Sequence, residues 1–183
     1  MKKNGKLLLM IVLGIVAVAG VCVFGVQNYQ NKAFNLEEQV KSAQADISVQ
    51  EKRRAELLPN LVDCIKEYDK HEYETLMDII EARGANSDTA AEEVQTMIAA
   101  VAEAYPELKS NENYKRYMDE LSITENLIAQ YRENHNKQVE DYHRYVRKFP
   151  ARMFLDMLGY EIQNYERLDY GNTYSDAPTN LFD

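Results

Sequence analysis

The chain has no tryptophan, and its 183 residues include only 7 glycines, 4 prolines and 2 cysteines. Four of the glycines (Gly5, Gly14, Gly20 and Gly25) lie at the start, leaving Gly84, Gly159 and Gly171 for the rest. With so few breakers, and with Glu, Gln, Lys, Leu and Ala abundant, the composition is all-helical. Cys22 sits in an apolar run and Cys64 in the polar body, so the body has no internal disulfide of its own. Cys64 reads as a small buried hydrophobe. There is no phosphate loop, no dinucleotide fingerprint, and no glycine-rich elbow around Ser122. The net charge is −9, and Lys2, Lys3 and Lys6 precede the first acid, so the body is more acidic still. That balance argues against nucleic acid and anionic lipid headgroups as direct ligands.

What is present begins with LLLMIVLGIVAVAGVCVFGV, residues 7–26, a run of 20 residues without a charge. Its length suits a helix crossing a bilayer core. The lysines of residues 1–6 place the N-terminus in the cytoplasm and the body outside it. Two rival readings stand beside this one. Ala17-Val18-Ala19 has the small-x-small pattern of a signal cleavage site. Ala19-Gly20-Val21-Cys22 resembles a lipoprotein box, though Val21 is bulky for it. The uncleaved anchor is the favoured reading.

Turn chemistry divides the body. RGANSD (83–88) reads as a helix stop, a turn and a new cap, YPELKSNEN (105–113) as a connection opened by Pro106, and FPAR (149–152) as a stop at Pro150. Between them the apolar period is seven. Tyr114, Leu121, Ile128, His135, Tyr142 and Phe149 form one seam, with Tyr117, Thr124, Tyr131, Gln138 and Tyr145 three residues after each of the first five. Ala91, Val94, Ile98, Val101 and Tyr105 form a shorter one. Ala33, Val40, Ile47, Arg54, Leu61 and Tyr68 form a third, whose phase runs on past Pro59. Pro59 therefore reads as a kink inside one helix over 29–83. Helices over 29–83, 88–104 and 111–149 make an antiparallel up-and-down bundle, with three long helices, or four if the first breaks at Pro59. The expected organisation is a basic N-terminus (1–6), a transmembrane helix (7–26), the bundle (27–168) and a flexible tail (169–183). Residues 29–183 are expected to fold alone as a mostly helical domain.

Two blocks carry a family resemblance: KRRAELLPNLVDCIKEYDKHE (52–72), and AYPELKSNENYKRYMDELSITENLIAQYR (104–132) followed by Phe149-Pro150. They resemble the LemA family over roughly residues 29–160. The motif positions are Arg53, Arg54, Pro59, Asn60, Leu61 and Val62; Tyr105, Pro106, Glu107, Asn111, Glu112 and Asn113 within the loop; and Glu120, Leu121, Ser122, Thr124, Glu125 and Asn126. Gln44 and Ser48 depart from the family's frequent Trp and Asp. The resemblance implies a bacterial protein with one N-terminal membrane segment and a helical-bundle body, and brings no enzymatic activity or ligand with it.

Candidate chemistry is thin. Glu140-Asp141-Tyr142-His143 has the Glu-x-x-His spacing of a bundle metal site once and lacks a second copy. No catalytic residue, metal or cofactor is assigned. Asn111 or Ser110 is expected to cap the long helix, with Asn113 or Glu112 closing the cap. MFLDMLGY (153–160) reads as a short helix closing one end of the bundle, with an exposed partner or membrane-surface patch as the alternative. Arg54 on its apolar seam is expected to pair with Glu125, or Arg53 in its place, with Asn126 or Thr124 completing the hydrogen bonds. The functional expectation is a non-catalytic, single-pass scaffold or adaptor of the bacterial cell membrane, acting on a protein partner. An extracytoplasmic sensor is the alternative, and homo-oligomerisation is left open.

Overall fold

The computed structural model describes residues 2–168, apart from the side chains of 2–11, 17–19 and 21–24. The expected tail, 169–183, lies outside the described residues. The elements are α1 (Lys2–Asp63), α2 (Lys70–Arg83), α3 (Asp88–Ala104), a short 3-10 turn (Leu108–Ser110), α4 (Glu112–Arg147) and α5 (Ala151–Met157). No strand occurs among the described residues, and the all-helical expectation holds. Among the described residues no helix is long and apolar enough to cross a membrane. Residues 7–26 have helical backbone within α1, and most of the side chains of the expected span lie outside the described residues.

Pro59 lies inside α1, as its unbroken phase predicts. The expectation of one helix over 29–83 is corrected. The chain leaves the helix after Asp63, not at Pro59, and the body has four long helical segments. After Asp63 the backbone bonds tighten to the i→i−3 pattern, with Ile65 N–H to the Val62 carbonyl at 2.9 Å and Tyr68 N–H to that of Ile65 at 2.8 Å. Asp69 then starts α2, its carboxylate accepting from the N–H groups of His71 (3.0 Å) and Glu72 (3.1 Å). The seam conceals this break because Leu61 and Ile65 are both fully buried on either side of it.

The chain forms two compact units, one from Ser42–Asn134 and one from the described residues of Met1–Lys41 and His135–Asp183. The Ser42–Asn134 unit has an aliphatic core. Leu58, Leu61 and Val62 of α1 meet Leu76 and Ile80 of α2, Val94 and Ile98 of α3, Leu108, and Leu121 of α4. The α2–α3 turn closes at Gly84, whose φ of +80° favours glycine and whose N–H reaches the Ile80 carbonyl.

In the other unit Ala33 and Val40 of α1 pack with Val139, Tyr142 and Val146 of α4, Leu155 of α5, and Tyr160. Expected seam residues Val40, Ile47, Arg54, Leu61, Leu121, Ile128, His135 and Tyr142 are all buried. Tyr68, Tyr105, Tyr117, Tyr131, Gln138 and Tyr145 of the expected seams are only half-buried, and Phe149 is 76 % exposed, because α4 ends at Arg147 and Phe149 stands in the following turn.

Candidate functional site: a buried arginine lock and an adjoining polar cleft

Among the described residues Arg54 is one of the largest fully buried side chains, with 1 % of its surface exposed. It projects from α1 in phase with Ile47 and Leu61, so the fold must neutralise it in place. One guanidinium nitrogen, Nη1, donates to Glu125 of α4, at 3.2 Å to Oε2 and 3.4 Å to Oε1. The other, Nη2, donates to the Asn86 carbonyl at 2.6 Å and to Asp88 Oδ1 at 2.8 Å. Asp88 is shared. Its carboxylate also receives Arg132 of α4, whose Nη1 lies 2.8 Å from Oδ2, and Arg132 reaches Glu51 of α1 at 3.0 Å. Glu51, Arg132, Asp88, Arg54 and Glu125 thus form one alternating chain of charge that ties α1, the start of α3 and α4 together.

Burial opposes ionisation of Asp88, but the hydrogen bonds and charges of Arg132 and Arg54 outweigh it and hold the carboxyl below its usual range. Desolvation likewise opposes the charge on Arg132, and Asp88 and Glu51 overcome it and raise that guanidinium. Arg54 Nε and Gln50 Oε1, one turn apart on α1, are buried without a protein hydrogen-bond partner.

The Arg54–Glu125 pairing is therefore present. The residues expected to complete it are corrected. Thr124 donates instead to the Glu120 carbonyl at 2.8 Å, and Asn126 is exposed. Asn86 and Asp88 take that place, because the α2–α3 turn delivers them onto the seam. Arg53 is half exposed and lies 3.6 Å from Glu120, a surface pair.

The remaining motif residues gather near the end of α1. Asn111 Oδ1 accepts from the N–H groups of Asn113 (2.9 Å) and Tyr114 (3.2 Å), so Asn111 is the cap of α4. Glu112 opens that helix, where a negative charge suits its dipole. Pro106 and Glu107 enter the 3-10 turn that buries Leu108. The Tyr105 hydroxyl donates to Asp69 at 3.3 Å, holding the end of α3 to the start of α2.

Asn60 and Asp63 at the end of α1 and Cys64 and Glu67 in the turn after it face Asn111, Asn113 and Tyr117 across an open polar cleft of about 370 Å³. Asn60 Nδ2 is tied to the Glu56 carbonyl at 2.6 Å. Burial, and then the Asp63 charge, push the Cys64 thiol up, so it is not primed as a nucleophile. The cleft offers amide and carboxylate groups for hydrogen bonding. Among the described residues no group of three His, Cys, Asp or Glu side chains converges as a metal would require. In the Glu-x-x-His sequence, Glu140 pairs with Arg144 and Arg167, while the His143 ring lies against Tyr142.

The two motif blocks thus meet twice in one unit, at the arginine lock and at the cleft. Residues 43–179 match the sequence profile of the LemA family. The chain belongs to the LemA family. It is also similar to Protein LemA of Metamycoplasma hominis, 26 % identical over 137 residues that cover 68 % of this chain and 63 % of that protein. The chain therefore spans just under two thirds of the length of this curated LemA relative. The match begins at residue 43, so Arg53, Arg54, the α4 cap and the cleft all lie inside the matched region.

Sequence reasoning missed Asp69, Asn86, Asp88 and Arg132. Asp69-Lys70-His71-Glu72 does carry the Asp-x-x-Glu spacing of a helix start. Asp88 opens α3 right after a recognised turn, but periodicity along one helix cannot say which seam a turn residue will reach.

Proposed function

We propose that this LemA-family chain is a non-catalytic scaffold or adaptor, anchored by residues 7–26, with its N-terminus in the cytoplasm and its body outside. The observation that carries the adaptor reading is the state of Arg54. Its guanidinium is committed to Glu125, Asp88 and the Asn86 carbonyl. Arg54, Glu125 and Arg132 of the motif blocks hold helices to one another.

For the anchor, the support is the uncharged run itself, together with Val12, Leu13, Ile15 and Val16, which stand exposed with no part of the described chain covering them. Photo-crosslinking of the intact protein in membranes, with the crosslinker at Arg53, tests the adaptor reading. A discrete partner protein is expected; turnover of a small molecule by the purified chain would overturn it.

The cleft between Asn60, Asn111 and Asn113 favours a second reading, a sensor that binds a small polar ligand. A thermal-shift screen of polar metabolites separates the two. A ligand whose stabilisation is lost in Asn60→Ala would make the cleft a receptor site.

A further inference from the structure

The face of α5 turned away from the core is uncovered and carries an apolar stripe beside the exposed pair Arg152 and Asp156. Ala151 and Leu155 are buried, while Met153 and Met157, also four residues apart, are 50 % and 67 % exposed. Phe149 extends this outer stripe. An open groove of about 400 Å³ lies along it, between Phe149, Met153, Arg147, Arg152 and Asp156. Scattered apolar residues are ordinary on a surface, but a run on one helix face asks for an occupant.

Two observations name that occupant. First, the buried side of α5 is fastened to the start of the body. The Phe154 ring stacks on Tyr29 with centroids 5.0 Å apart. The Tyr145 hydroxyl donates to the Tyr29 carbonyl at 3.1 Å, and Lys32 lies over the Tyr145 ring at 5.0 Å. Tyr29 follows Val26, the last residue of the uncharged run, by about 5 Å of helix rise. Tyrosine, phenylalanine and lysine at that depth are the side chains that settle at a membrane–water boundary. Second, the local charge is reversed. Arg147 and Lys148 make no ion pair with a described residue, in a chain of net charge −9, and Arg152 stands beside them 3.9 Å from Asp156, while Arg144 is paired with Glu140 and Asp141. The bulk acidity that argues against anionic lipid does not apply to this segment.

We infer that α5 is an interfacial foot, laying Phe149, Met153 and Met157 into the surface of the same bilayer that residues 7–26 cross, with Arg147, Lys148 and Arg152 among its anionic headgroups. This rests on the anchor reading above. It would fix the tilt of the body's first turns at two points instead of one.

The absence of tryptophan makes a clean test, since any introduced tryptophan is the only one. The full chain is reconstituted in phosphatidylglycerol-containing bilayers with brominated acyl chains, as single variants Val16→Trp, Met153→Trp, Met157→Trp and Lys137→Trp. With the foot about 5–10 Å into the boundary, Met153→Trp and Met157→Trp should lose about half of their emission, and Lys137→Trp almost none. Adding Arg147→Glu and Arg152→Glu to Met153→Trp should restore much of it. Quenching at Val16→Trp without quenching at Met153→Trp or Met157→Trp would leave the anchor standing and overturn the foot. No quenching at Val16→Trp would remove the anchor reading and the foot with it. Equal quenching at Lys137→Trp would mean non-specific adsorption and also overturn the foot. Circular dichroism of each variant verifies that it is folded.

Discussion

The two units of the chain solve one problem in different ways. In each, long helices with seven-residue seams need something to stop them sliding past one another. The Ser42–Asn134 unit has leucine and isoleucine along its seams and sets register with charge, through the buried guanidinium of Arg54 and the two carboxylates it reaches. The other unit sets two tyrosines, Tyr142 and Tyr160, among the smaller aliphatic side chains of its core and uses their hydroxyl groups. The Gln163 N–H donates to the Tyr142 oxygen at 2.8 Å, and the Tyr142 and Tyr160 hydroxyls are 3.0 Å apart. Tyr160 donates to Glu37, so the proton between the two phenols comes from Tyr142 and the whole relay ends on a carboxylate. The difference shows that a polar group in a helical core serves where it leaves only one register satisfied, whether it is charged or neutral.

The largest break in this comparison should come from Arg54→Ala. It strips the buried partner from two carboxylates and opens a void. Urea unfolding followed by circular dichroism should register a loss of about 3–5 kcal/mol. A change below about 1 kcal/mol would mean that the carboxylates simply turn to water.

Tyr160→Phe is the matching cut in the other unit. It leaves Glu37 without its phenol donor and should cost about 1–3 kcal/mol.

pH should sharpen the contrast. Burial and the hydrogen bond that Tyr160 donates to Glu37 push its hydroxyl upward, so the folded state holds this proton more tightly than the unfolded chain. Its contribution is complete below about pH 10, where an unfolded phenol ionises, and falls as pH rises beyond that. Asp88 runs the other way. Burial raises it, its two arginines more than compensate, and its contribution is present above about pH 4 and lost as pH falls through the lower folded value. Stability-versus-pH curves of the parent, Tyr160→Phe and Asp88→Asn should therefore differ at opposite ends of the scale. Coincident curves would break the pairing of mechanism with unit.

Smaller effects follow. Asn111→Ala removes the cap of α4 and should cost about 1 kcal/mol in thermal unfolding. Arg53→Ala, next to the lock but half exposed, should change stability by less than about 1 kcal/mol. An Arg53 effect as large as that of Arg54 would put the lock on the wrong residue.

Much of this was legible in the residues. The spans of α3 and α4 follow from punctuation and period, and the buried seam residues from the heptads. The Arg54–Glu125 contact was readable because a charge in phase with Ile47 and Leu61 has to meet an acid beside the facing seam. The end of α1 was not. Cys64 to Tyr68 contain no glycine or proline, and the apolar phase runs through them, because a tightened turn still directs Ile65 inward. The second half of the lock was hidden for a related reason. Asn86 offers a backbone carbonyl, which no side-chain pattern encodes, and Asp88 reaches Arg54 only through the path of the α2–α3 turn.

The spacing of the lock along the chain also sets an order of events at the ribosome. Arg54 is synthesised 34 residues before Asp88 and 71 before Glu125. At translation rates of about 5–20 residues per second, the guanidinium waits roughly 4–14 s for its last partner to be made. Until Asp88 is made, roughly 2–7 s after Arg54 at the same rates, α1 presents an unpaired cation in the middle of an apolar stripe. The positive charge that later fixes the register thus first keeps the emerging helix wet, and discourages it from closing early on any other greasy surface.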